Sequence, residues 1–251
     1  MAYALIAGLY GTLGGILTTY YGPMAAGSGV AELIGYLNGV NQPGFLGINT
    51  LITKVVGVSL AVSARLAVGK EGPLAHIGAI VGASVLYIPG LGLEHLRNDE
   101  TKRLFIAAGA STGVSVAFGA PIGGALFCYE LSRPNTFWRF TMIWKVFFAA
   151  SLGTFVMAMW NGIRTGNYMD WSGAQIKFGS ANDTQNASII YTMPGAIVLG
   201  ITGGCLGALF INVNTRVNAY RKVLLKSNWI KPIETMLFAI LTASIFFIVP
   251  S

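Results

Sequence analysis

The chain has 251 residues, 54 % of them hydrophobic and only 10 % charged, where a soluble domain carries about 25 % charge. With a mean hydropathy of +0.64, this composition argues against a soluble globular chain and excludes a disordered one. The uncharged runs along the chain, each long enough for a spanning or re-entrant segment, point to an all-α polytopic membrane protein. The net charge of +7 reads as Lys and Arg marking cytoplasmic loops, not as a stripe for nucleic acid.

Residues 1–31 carry no charge, enough for a segment that spans or re-enters a bilayer. No basic region precedes the apolar run, so it is expected to stay in the membrane rather than be cleaved. Gly8, Gly11, Gly14 and Gly15 lie within it, at spacings that let membrane helices pack closely. Next comes Gly27-Ser28-Gly29-Val30-Ala31-Glu32. A Gly-Ser-Gly turn entering a helix presents free N–H groups and a hydroxyl at the positive end of the helix dipole, which suits an anion. The plainer alternative is that Ser28 only caps the helix. Glu32 falls in the first turn, where a carboxylate is favourable.

Gly69-Lys70-Glu71-Gly72-Pro73 follows. Gly72 and Pro73 suit a sharp turn into a helix with Pro73 in its first turn. Its N–H groups converge again, and Glu71 lies beside them. A carboxylate is itself an anion, so it can fill a place meant for a transported one and leave on protonation. Alternatively Glu71 pairs with Lys70 or caps the helix. His76 reads as a hydrogen-bonded packing residue.

Residues 104–129 form another uncharged run. Arg97, Lys102 and Arg103 precede it, and Arg133, Arg139 and Lys145 follow, so both flanks look cytoplasmic. One straight helix cannot begin and end on the same side. The break is expected at Gly119-Ala120-Pro121, giving two shorter helices of the kind tolerated where they line a cavity. Glu130, near the end of the second, carries protons or merely caps and pairs with Arg133.

Further spans are expected at about 145–161 and at 190–213. Between them lie two glycosylation sequons, at Asn182 and Asn186, on the side opposite a basic loop of Arg216, Arg221, Lys222, Lys226 and Lys231. Gly200, Gly203, Gly204 and Gly207 suggest another closely packed helix. Cys128 and Cys205 sit in apolar stretches and read as packing residues. The chain ends within an apolar run, so it is expected to be a fragment.

At the three glycine-rich stretches the chain resembles the CLC family of chloride channels and chloride/proton exchangers. Gly-Lys-Glu-Gly-Pro followed by His76, with the tract Ala107–Phe127, is most similar to its intracellular (lysosomal, vacuolar or endosomal) branch. The resemblance implies a CLC-type bundle of tilted, broken and re-entrant helices. Residues 1–251 would be part of one transmembrane domain, lacking the later membrane helices and the cytoplasmic CBS domains. It implies a homodimer embedded in lipid, each subunit with its own chloride path and no cofactor. Gly27, Ser28, Gly29, Gly69, Lys70 and Gly72 would bind the anion, and Glu71 would gate it. Ser28, where some members have Pro, implies chloride rather than nitrate.

The sequence departs from the family pattern at two places. Ala31 replaces a usual Pro, which should leave the turn intact. Leu131 replaces the second glutamate through which exchangers pass protons. An aliphatic side chain cannot bind a proton, so the expectation is a voltage- or pH-gated chloride channel. The alternatives are a proton-coupled exchanger or a truncated, non-conducting subunit. An enzyme reading rests on Gly109-Ala110-Ser111-Thr112-Gly113, which matches a serine-nucleophile pattern. His76 and His95 both lie upstream, and no histidine follows on a later helix, so the expectation is that the protein is not an enzyme. The scattered His and Cys residues show no metal-ligand spacing, and no metal is expected.

Overall fold

The computed structural model describes residues 2–90, 92–132, 140–166, 189–225 and 227–248. Among them the structure is helical, without strands. In order come α1 (Ala2–Tyr20), α2 (Val30–Leu37), α3 (Ile48–Ser63), α4 (Glu71–Val85), α5 (Asp99–Phe118), α6 (Pro121–Ser132), α7 (Phe140–Thr165), α8 (Ile189–Leu224) and α9 (Ile230–Ile248). Thr141–Thr165, Met193–Leu224 and Ile230–Ile248 are long and apolar enough to cross a membrane. The all-α, multi-pass expectation holds. The chain divides into two units, Met1–Ile176 with Lys231–Ser251, and Lys177–Ile230.

In the first unit, glycine decides where helices meet. Between α4 and α5 the main chains touch. A Cβ on Gly78 would collide with the Gly109 carbonyl, one on Gly82 with the Phe105 carbonyl, and one on Gly113 with the Leu74 carbonyl. Lipid tails are as apolar as Leu, so close backbone approach supplies the packing energy that apolar burial supplies in water. On other faces of α5, Gly124 of α6 abuts Ser111 and Ser115, and Gly153 of α7 abuts Thr112. The core that results takes Leu33 and Leu37 from α2, Ala79 from α4, Ile106 from α5, Leu131 from α6 and Val146 from α7. On α1, Gly8, Gly11 and Gly15 face α9 while Gly14 faces Leu60 of α3, as their spacing suggested.

The break between α5 and α6 lies where Gly and Pro put it. Gly119 adopts φ +66°, and its N–H closes on the Ser115 carbonyl. Ala120 N–H shares that carbonyl at 3.1 Å. Pro121 then opens α6 at a position where its missing N–H is not needed.

The structure corrects the extent of two expected spans. The span expected at 190–213 is a helix of 36 residues, Ile189–Leu224. Arg216, Arg221 and Lys222 therefore lie on its last turns, not in a loop, and Lys231 begins α9 instead. Arg and Lys are good helix formers and are favourable near a helix C-terminus, so charge alone did not end this helix. The span at 145–161 likewise extends to Phe140–Thr165. Along α8 a Cβ at Gly200, Gly203, Gly204 or Gly207 would meet nothing among the described residues of its own unit. Both cysteines are free, Cys128 buried and Cys205 exposed. The Cys128 thiol donates to the Ala107 carbonyl at 3.1 Å. Asn182, Asn186, Arg133, Arg139 and Lys226 lie outside the described residues.

Candidate functional site

Gly27 and Gly29 have φ of +72° and +82°, a left-handed conformation that glycine adopts without a steric cost. The chain therefore turns sharply and enters α2 with Gly29 as its cap. Ser28 is not the cap. Its hydroxyl oxygen accepts from the Val30 N–H at 3.3 Å, leaving its own O–H to donate elsewhere. Ala31, in place of a proline, leaves the turn intact.

A residue that the sequence reading passed over holds this turn from behind. Lys54 of α3 is only 1 % exposed. Its ammonium donates to the Ala25 carbonyl at 3.0 Å and the Gly27 carbonyl at 2.8 Å. A buried cation is costly unless its hydrogens are matched, and here main-chain oxygens match two of the three. A lone lysine within an apolar helix was the available signal, because such a residue is a functional candidate by default.

The second stretch forms the start of α4. Lys70 is the cap and Glu71 the first helical residue. The sharp turn expected at Gly72 lies instead at Gly69-Lys70, with Gly72 already inside the helix and Pro73 in its first turn. Lys70 is exposed and Glu71 half-buried. The Glu71 carboxylate folds back, with Oε2 in the space a Cβ on Gly69 would occupy.

The two stretches meet. A Cβ on Gly72 would lie 2.7 Å from the Ser28 Cβ, so the missing side chain lets the α4 backbone rest on Ser28. One turn further along α4, the His76 ring fills the space beside Gly29. Glu71, Ser28 and the starts of α2 and α4 are thus gathered in one place. The first N–H groups of a helix have no partner within it, and each N-terminus carries roughly half a positive charge. This arrangement of helix N-termini suits an anion.

His76 is fully buried. Its Nε2 lies 3.0 Å from the Phe45 carbonyl, and its ring stacks on Phe45 at 4.1 Å between centroids. The packing reading of this residue agrees with that geometry. At the far end of α6, Glu130 is exposed while Leu131 is buried in the core. Consecutive residues therefore face opposite ways, and the structure does not gather them with the helix N-termini.

The glycines around Ser111 are packing residues, since Gly109 and Gly113 form the α4 contact. The Ser111 hydroxyl is buried and has no hydrogen-bond partner among the described residues.

A family profile described as voltage gated chloride channel matches residues 10–251. The chain is 36 % identical to the H(+)/Cl(-) exchange transporter 7 of Mus musculus, over 99 % of this chain and 32 % of that protein. It is 36 % identical to chloride channel protein D of Dictyostelium discoideum, over 94 % and 23 %. Chloride channel protein CLC-d of Arabidopsis thaliana is 35 % identical over 93 % and 31 %. The chain thus spans a third or less of the length of these relatives. Among solved structures, a slow cyanobacterial Cl-/H+ antiporter superposes with a TM-score of 0.75 at 25 % identity, over 96 % of this chain and 52 % of that one.

Proposed function

Because this chain belongs to the voltage-gated chloride channel family, we propose that it forms part of the chloride pathway of a proton-coupled chloride exchanger. The observation that carries this reading is the contact of Gly72 with Ser28, which brings the start of α4, and Glu71 with it, against the turn that enters α2. The exchanger is preferred to the channel first expected because relatives and a structural neighbour are named for chloride/proton exchange.

In this mechanism a chloride ion sheds water and is held by the N–H groups entering α2 and α4 and by the Ser28 hydroxyl. Gly27, Gly29, Gly69 and Gly72 leave those groups uncovered, and Lys70 adds positive potential at the exposed side. The Glu71 carboxylate competes for the same place. When it takes up a proton its charge is gone, the competition ends and chloride can occupy the site. Proton uptake and anion entry are thereby linked at one side chain. The protein is read as a homodimer in an intracellular membrane.

Leu131 favours a second reading, passive conduction, because no carboxylate stands there to carry the proton onward. Flux in liposomes containing the full-length protein separates the two. An exchanger drives chloride uphill in a pH gradient, and its reversal potential moves with that gradient. Glu71→Ala should keep chloride flux while losing proton coupling and most of the pH dependence. A wild-type reversal potential indifferent to pH would give the channel reading first place.

A further inference from the structure

We infer that His76 binds a proton at Nδ1 in step with the anion held at the Gly27-Ser28-Gly29 turn. The inference rests on the chloride reading above and adds a second proton site to it. A carbonyl oxygen can only accept, so the 3.0 Å contact with Phe45 makes Nε2 the N–H of the neutral ring. Nδ1 is then a bare lone pair. It is buried and has no hydrogen-bond partner among the described residues. The ring edge bearing it lies against Gly29, next to the serine that would bind the anion.

An unmatched acceptor in that position repels an anion. Protonated, the same atom becomes a charged donor facing the turn, while Nε2 keeps its bond to Phe45. A proton on His76 therefore favours the anion, and by reciprocity the anion favours the proton. Burial is the largest influence on the ring and opposes its charging, so the proton needs the anion beside it. Among charged groups, Lys54 on α3 opposes the proton and Glu32 on α2 favours it. Glu71 precedes it on its own helix, and the α5 residues facing α4, Phe105, Gly109 and Gly113, are uncharged. Lys54 is tied to two carbonyls, so its charge opposes a second cation nearby, and Glu32 and the bound anion offset it. A proton held here gives the protein an internal acid-base group although residue 131 is aliphatic.

The test is chloride binding by the full-length protein in detergent, measured calorimetrically at pH 7.5 and 5.0. Glu71→Gln serves as background, because it fixes the gate in an uncharged shape and removes its own titration. In that background chloride affinity should rise about tenfold from pH 7.5 to 5.0. Adding His76→Gln, which keeps a donor for Phe45, should make the affinity independent of pH, and His76→Asn serves if the glutamine variant does not fold. A pH-independent affinity in Glu71→Gln alone overturns the proposal whatever the double variant does. So does a pH dependence that survives either substitution at His76. If the wild type binds no chloride at any pH, the chloride reading falls first and this proposal with it.

Discussion

Two glycine-rich regions of this molecule look alike in sequence and behave differently. On α4 and α5, Gly78, Gly82, Gly109 and Gly113 bring two backbones into contact. On α8, Gly200, Gly203, Gly204 and Gly207 meet no partner among the described residues of their own unit. Small residues at helical spacing permit a close approach, and what makes it happen is a second surface of the same kind in register. On α4 and α5 the glycines of each helix meet the backbone of the other. The lesson extends to charge. Lys54 is held by two carbonyls in the interior, whereas Lys222 on α8 is exposed.

The largest test of this contrast is Gly109→Ala, whose Cβ would collide with the Gly78 carbonyl. Forcing a methyl group against backbone should lower stability by about 3 kcal/mol, read as early thermal unfolding in detergent. Lys54→Met comes next. It leaves the Ala25 and Gly27 carbonyls unmatched, which should cost about 2 kcal/mol and loosen the turn, so chloride titration should show weaker binding. Lys222→Met on α8 should stay within about 0.5 kcal/mol of wild type. Gly11→Ala is intermediate, because its Cβ would come within 2.8 Å of the Ala239 side chain and 3.1 Å of the Thr235 carbonyl. A loss of about 1 kcal/mol is expected by the same thermal assay. Gly204→Ala should be of opposite sign, gaining up to about 1 kcal/mol from helix propensity alone. If it instead costs as much as Gly109→Ala, the α8 glycines are covered in the full-length protein and the contrast disappears.

The break at Gly119-Ala120-Pro121 was legible because both residue types act locally. One adopts a left-handed backbone, and the other needs no N–H at the start of a helix. The sharp turn at Gly27-Ser28-Gly29 was legible for the same reason, since its two glycines take a left-handed backbone. The partners across the fold were not. Lys54 acts through the main-chain oxygens of residues 25 and 27, and no side-chain pattern marks a carbonyl as an acceptor. The end of α8 was not legible, because basic residues suit a loop and sustain a helix equally well. The turn at Gly69-Lys70 was displaced from the expected Gly72 because glycine is tolerated within a first turn, and here its lack of a side chain is used against Ser28.

That contact at Gly72 has a mechanical meaning. With no Cβ between them, the start of α4 and the turn before α2 already touch and cannot move closer. Under the proposed mechanism the freedom left at the gate is torsional, the swing of the Glu71 side chain about its own bonds. The anion and the carboxylate then exchange places within a rigid collar, and no domain has to open to let them pass.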